Sequence, residues 1–351
     1  MLDLIGEANA VALIGLLGGL GLGLAARIGR FCTLGSIEDF LYSSDDKRLR
    51  MWGVAIGVAV VGVYASHGAG LVDITASPYL SVKWVVLSSV IGGLLFGYGM
   101  AICGNCGYGA LARLGGGDLR SFVIVLVMAL AGYAVLSGPF AAFRVSLFPV
   151  DPDAASPQGV AFLVAQMTGL SASAIGILAG SGILLVSLAS RSFLASPHQI
   201  FWGSVVGLAI LSGWLGTWWV SQTGFAAEPF ETHSFVAPVG DSIFWLMTAS
   251  GTALSFSVGS VAGVLVGAFI GSLFKGHFRW EACEDPRELR RQITGAAIMG
   301  VGAILALGCS VGQGISAFST LSFSAPVVFL SIFAGAAIGL RQLITGFAPA
   351  E

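Results

Sequence analysis

The 351-residue chain is 56% hydrophobic and only 10% charged, with 16 Lys and Arg against 18 Asp and Glu for a net charge of −2. A soluble domain carries about a quarter charged residues, so a soluble globular protein is excluded, and the near-neutral balance offers nothing to nucleic acid. Five cysteines, an odd number, exclude a complete disulfide framework.

Mean hydropathy is +0.91, and apolar segments recur along the whole chain. In order they cover about 8–27, 51–66, 83–102, 120–138, 171–190, 199–220, 255–274, 292–308 and 326–345. Most approach the ~20 residues needed to cross a ~30 Å hydrocarbon core. The expectation is an all-α polytopic membrane protein of about nine transmembrane helices. Residues 1–10 carry Asp3 and Glu7 and no basic residue, unlike the start of a signal peptide, so the first segment is expected to be retained.

Nine spans with the N-terminus outside put Arg27, Arg30, Lys47, Arg48, Arg50, Arg113, Arg120, Arg191, Lys275, Arg279, Arg287, Arg290, Arg291 and Arg341 inside. Only Lys83 and Arg144 fall outside. That asymmetry follows the positive-inside rule and places the C-terminus in the cytoplasm. Proline-rich stretches after Phe148, at Ser156-Pro157 and at Glu228-Pro229 fall in outside loops. The longest hydrophilic stretch, Lys275 to Gln292, is too short to fold alone, so 1–351 reads as one membrane domain.

One pattern repeats. Aligning 18–35 (GGLGLGLAARIGRFCTLG) with 92–109 (GGLLFGYGMAICGNCGYG) and 295–312 (GAAIMGVGAILALGCSVG) keeps a leading Gly, a Gly five on, a Cys fourteen on and a Gly seventeen on. Cys32, Cys106 and Cys309 occupy the shared Cys position. A weaker copy over 207–224 puts Ser221 there. Spans one and three run outside to inside, and spans six and eight run the other way. The chain therefore reads as an inverted 4+1+4 repeat, with 1–140 as the first unit, 141–195 as a connector helix region and 196–351 as the second. Transporters commonly place their substrate path at such a repeat interface.

After each Cys the pattern stops being a simple helix, which suggests re-entrant segments. Non-helical backbone at membrane depth is tolerated only where protein or a polar cavity surrounds it, and freed N–H groups favour anions. Each loop offers a thiol, a weak donor and soft acceptor, with no carboxylate in the predicted span interiors. That suits a soft, sulfur-bearing anion better than a hard cation, which wants oxygen ligands. Asn105, Gly107, Ser310 and Gln313 are candidate supporting groups beside the thiols. Arg113 can steer an anion or simply set topology.

These residues resemble the YeeE/YedE family of sulfur-compound membrane transporters over most of the chain. The resemblance is carried by Arg30-Phe31-Cys32-Thr33, by the run from Gly97 to Gly109 with Arg113 and Gly115 to Gly117, and by Ala306 to Gly314. It implies a bacterial inner-membrane permease for thiosulfate or a related sulfur anion, without a cofactor, in which Cys32, Cys106 and Cys309 contact the ion. It also implies a cytosolic TusA-like or rhodanese-like sulfur carrier as partner, alongside membrane lipid. The family often has a glycine pair before the middle Cys, where this chain has Gly104-Asn105 and an additional Cys103. The ion would pass by hydrogen bonding without a covalent step, because thiolates at membrane depth repel a dianion and cost desolvation energy.

Two other readings weigh against this one. Cys103 and Cys106 form a C-x-x-C that could exchange disulfides in a membrane thiol–disulfide oxidoreductase, but that leaves Cys32 and Cys309 unexplained. Thiolates could hold a soft metal such as Cu(I), yet no Met or His accompanies each Cys. Cys283 reads as a free cytosolic thiol. The four histidines and most tryptophans read as interfacial.

Overall fold

The computed structural model describes residues 6–149, 154, 156–225, 228–282 and 285–346, so Cys283 lies outside the described residues. Helices account for the architecture: α1 (Glu7–Arg27), α2 (Thr33–Tyr42), α3 (Lys47–Gly68), α4 (Val86–Cys103), α5 (Gly107–Gly115), α6 (Leu119–Leu136), α7 (Ala172–Leu188), α8 (Pro197–Thr223), α9 (Ala237–Thr248), α10 (Phe256–Phe274), α11 (Pro286–Leu305) and α12 (Ser324–Thr345). Among the described residues there is no strand beyond two isolated bridges.

Nine of these helices occupy the nine predicted segments. Seven helical stretches are long and apolar enough to cross a membrane, the α4–α5 stretch counting as one with α1, α3, α6, α8, α10 and α12. The 17-residue α7 is apolar but shorter. The start of α11 is charged, and it begins six residues before its predicted segment because Asp285 accepts a hydrogen bond from the Arg287 N–H and Pro286 fills the first turn. Pro at that position loses no hydrogen bond. Large apolar side chains such as Leu17, Leu178, Leu185, Leu208 and Leu330 are exposed, as a surface facing lipid requires.

Glycine spacing decides which helices meet. Residues four apart share a helix face, and lipid supplies no hydrophobic drive between helices, so small residues that let backbones approach do the work. Gly15, Gly19 and Gly23 of α1 face Gly259, Gly263 and Gly267 of α10 along their whole contact. A Cβ at Gly19 would lie 2.3 Å from the Ser260 carbonyl oxygen, and one at Gly263 would lie 2.3 Å from that of Leu16. Helix α4 carries glycines on two faces, Gly92 and Gly99 against α11, and Gly93 and Gly97 against α12.

The packing partners form a regular set. Helix α1 packs on α10 and α8, α3 on α8, α4 on α12 and α11, and α6 on α11. The short helices slot between them: α2 against α3 and α12, α9 against α10 and α6, α5 against α6 and α10, and the helical stretch 310–319 against α12 and α3. Helix α7 stands apart, laid on α3 alone among the long helices.

Gly263→Val in purified, detergent-solubilised protein should prevent the α1–α10 seam from closing, seen as loss of the monodisperse elution peak. Gly182→Ala, where a Cβ meets nothing within 4 Å, should be neutral or raise stability by up to about 1 kcal/mol, the helix-propensity difference. Equal behaviour of the two variants in a thermal melt would refute the seam.

Candidate functional site

Each sulfur-bearing loop is built the same way, from a helix that stops, one left-handed residue, and a cysteine that starts the next helix. After α1, Arg30 takes φ 56° and the Phe31 N–H returns to the Ala25 carbonyl at 3.1 Å. After α4, Gly104 takes φ 81° and its N–H returns to Met100 at 3.0 Å. After α11, Leu307 takes φ 56° and the Gly308 N–H returns to Ala303 at 2.8 Å. In all three the left-handed residue lies two positions before the cysteine. Such a conformation costs a residue with a Cβ about 1–2 kcal/mol, and the returning bonds satisfy helix-end carbonyls that the helix leaves unpaired.

Cys32 and Cys106 then stand as extended N-cap residues of α2 and α5. Cys309 begins the stretch 310–319, which contains a π turn over Gly312–Ala317. The Gly109 N–H donates to Cys106 Sγ at 3.3 Å, and the Gly312 N–H to Cys309 Sγ at 3.4 Å. The sulfur thus caps the third N–H of its helix, as a serine oxygen would. With a lone pair engaged this way, the S–H proton is free to donate elsewhere. The glycine three after each cysteine sits close to a polar side chain, least closely at Gly109, where a Cβ would lie 3.3 Å from Asn105 Oδ1. A Cβ at Gly35 would lie 2.4 Å from an Arg48 guanidinium nitrogen, and one at Gly312 would lie 2.8 Å from Ser234 Oγ.

The three loops meet. Thr33 Oγ1, next to Cys32, donates to Cys106 Sγ at 3.8 Å. Tyr108, two after Cys106, packs its ring 6.5 Å from Phe31 and 5.3 Å from Phe235, and its hydroxyl donates to the Leu22 carbonyl at 2.5 Å. Ser234, beside Phe235, shares a 3.7 Å hydrogen bond with Cys309 Sγ. Cys106 and Cys309 are buried, whereas Cys32 opens on a cavity of about 420 Å³. That cavity is lined by Arg27, Arg30, Arg48, Arg113 and Lys275, with Glu38 as its one acid. Burial and then the neighbouring Arg30 and Arg27 pull the Lys275 ammonium below its ordinary value, a sign of how much positive charge is concentrated there. Oxygen-rich anions are what such a cluster holds.

The predicted supporting residues divide. Asn105 and Arg113 line the basic cavity. Gly107 starts α5 and packs on Met128 and Val236. Ser310 is buried with no hydrogen-bond partner for its hydroxyl. Gln313 is committed to structure: its amide donates to the Ala306 and Leu307 carbonyls at 2.9 and 3.1 Å and accepts from Ser324, holding the end of α11. Ser221 is not brought to the thiols. It lies inside α8, bonded to the Trp218 carbonyl at 2.9 Å, because that helix continues unbroken to Thr223. Thr33 and Ser234 were not singled out from the sequence, since a search keyed on cysteine passes over a hydroxyl that approaches a sulfur from another loop.

The cysteines at 32, 103, 106 and 309 are free thiols. Cys103 packs against Gly295 of α11 while Cys106 meets Thr33, so the C-x-x-C does not act as a facing pair. Among the described residues no three His, Cys, Asp or Glu side chains come together as a metal site would need.

The sulphur transport family model matches residues 27–338. The thiosulfate transporter TsuA of Escherichia coli (strain K12) is 26% identical over 325 residues, covering 87% of each chain. The thiosulfate transporter TsuA of Spirochaeta thermophila (strain ATCC 700085 / DSM 6578 / Z-1203) is 22% identical over 321 residues, covering 88% of this chain and 92% of its own.

Gly104→Ala isolates the cost of one helix break, because a Cβ there meets nothing within 4 Å. Stability should fall by about 1–2 kcal/mol from backbone conformation alone. Leu307→Gly, at an equally left-handed position, should lose little or nothing in the same thermal unfolding measurement.

Proposed function

The chain belongs to the sulphur transport (YeeE/YedE) family, and from that premise we propose that it takes up thiosulfate across a bacterial inner membrane along a line of three thiols. Membrership of a transport family also sets aside the oxidoreductase alternative: this is a transporter and not an enzyme. The observation that carries the reading is the common build of the loops at Cys32, Cys106 and Cys309, three helix-starting thiols linked by Thr33, Tyr108 and Ser234. Thiosulfate has a soft terminal sulfur and three hard oxygens. A neutral thiol can donate to either end and then release it, since each such hydrogen bond is weak. The ion passes Cys309, Cys106 and Cys32 in turn and leaves into the basic cavity, where guanidinium groups replace the hydration it gave up.

All nine helices of the long set cross the membrane in this reading, with the N-terminus outside and the C-terminus inside. The packing supports an inverted repeat of 1–140 and 196–351 around the connector 141–195. Exchanging α1 with α8, α3 with α10, α4 with α11 and α6 with α12 turns each pairing among these helices into another that is present. The short helices follow the same exchange, α2 with α9 and α5 with 310–319. Composition-driven similarity between glycine-rich helices would not generate matching partners. The basic cavity faces the cytoplasm, where a TusA-like or rhodanese-like carrier would collect the sulfur.

Cys106→Ala or Cys309→Ala should abolish thiosulfate-dependent growth of cells that need this uptake, while immunoblots show the protein still in the membrane. Cys103→Ala should retain most growth. Uptake of labelled thiosulfate into proteoliposomes gives the direct measure, with a loss of roughly tenfold or more expected for a charge-assisted contact. Indistinguishable uptake by all three variants would sink the thiol line.

A further inference from the structure

The far end of the line has the opposite electrical character. Ser234, which touches Cys309, lines a cavity of about 160 Å³ together with Tyr79, Trp214, Glu231, Asp241 and Ser257. A neighbouring cavity of about 320 Å³ shares Glu231, Asp241 and Ser257. Among the described residues no Lys, Arg or His lines either one. Among the described residues, Glu231 and Asp241 are therefore the only charged side chains lining these two cavities, which reach Cys309 through Ser234.

A set of anion donors is nevertheless present beside them. Gly312 sits directly beside two of the lining hydroxyls, close enough that a Cβ there would lie 2.8 Å from Ser234 Oγ and 3.5 Å from Tyr79 Oη. The Tyr79 hydroxyl makes no hydrogen bond among the described residues, although its ring is packed edge-on against Trp214. Tyr79 Oη, Ser234 Oγ and Cys309 Sγ thus surround one small space with two hydroxyls for oxygens and one thiol for sulfur. A dianion there faces Glu231 and Asp241 across a cavity of low polarity, where like charges repel strongly. The donors and the acids can serve the same ligand only if the charge on the acids is reduced.

We propose that this cavity takes thiosulfate together with a proton, the Tyr79 and Ser234 hydroxyls holding the anion beside Cys309 and the Glu231 carboxyl carrying the proton. The inference rests on the transport reading above. Glu231 is suited to the task by its surroundings. Its carboxylate accepts one hydrogen bond from Ser257 of α10 at 3.3 Å. From α8 it meets only uncharged groups, with the Thr217 hydroxyl on its backbone carbonyl. Asp241 of α9 faces it, held by a hydrogen bond from Tyr133 of α6, and Glu228 with Glu7 beyond it adds further negative charge. His233, two positions on, turns to Ser260 of α10. Burial first, then Asp241, pushes the Glu231 carboxyl up to about 7. The proton changes only its binding site: it is taken up from the water on the Cys309 side, and no bond of thiosulfate is made or broken.

The test is labelled-thiosulfate exchange in proteoliposomes with the same pH on both faces. Wild-type uptake should be full at acid pH, fall as pH rises through about 7, and drop about tenfold per unit well above it, as a one-proton requirement dictates. Glu231→Gln, neutral at every pH, should flatten the profile. Asp241→Asn should move the fall to lower pH, because removing the facing charge makes Glu231 easier to ionise. Tyr79→Phe should raise KM roughly tenfold without moving the midpoint. A dye inside wild-type vesicles should report acidification when thiosulfate is added. A pH-independent wild type, an unchanged fall in Glu231→Gln, or thiosulfate entry without acidification each overturns the proposal. Failure of the wild type to take up thiosulfate at any pH would instead overturn the transport reading itself.

Discussion

Backbone that leaves its helix inside an apolar slab must find partners within the protein, because each orphaned N–H or C=O costs several kcal/mol there. The breaks at Arg30, Gly104 and Leu307 are that constraint met three times. In each, a left-handed residue lets an N–H turn back to a helix-end carbonyl, and a following helix begins at once. The cysteine falls at the point where the new helix has unpaired N–H groups. Its sulfur takes one of them at Cys106 and Cys309, so the requirement that closes the backbone also orients the thiol. Structure and chemistry share the same atoms.

Holding such breaks in place requires helices that pack closely. The glycine faces of α1 and α10, and the double-faced α4 between α11 and α12, bring backbones within touching distance. A few polar side chains finish the work. Gln313 satisfies the end of α11, and the Tyr64 hydroxyl donates to the Thr320 carbonyl at 2.7 Å. The result is a wall of closely packed helices around a centre where helices break and short ones begin at the thiols.

Charge is distributed along this centre with a direction. Arginines and Lys275 crowd the cavity at Cys32, while the charged lining of the cavities beside Ser234 is, among the described residues, Glu231 and Asp241. Between them the thiols and the ring of Tyr108 are uncharged in character. On the proposed path, an anion moving from the acidic end to the basic end would travel toward increasing attraction. A path lined by fixed cations throughout would bind the ion and hold it.

Much of this was legible in the residues. Hydropathy locates the helices, and the shared frame of glycine and cysteine locates three helix breaks, because a local pattern of backbone demand repeats as a local pattern of sequence. The frame failed at Ser221, where matched glycines lay on a helix that simply continues, since glycine spacing reports packing and a break needs a left-handed residue. Gln313 was legible as polar and buried but its duty was not. The sequence by itself determined the membrane class, the helix positions, the three thiols and the family. Only the tertiary structure decided that Thr33 and Ser234 reach the sulfurs, that Tyr79, Glu231 and Asp241 share a cavity, and that basic and acidic ends oppose each other. Those contacts join residues far apart in the chain, and no local periodicity encodes a distance across a bundle.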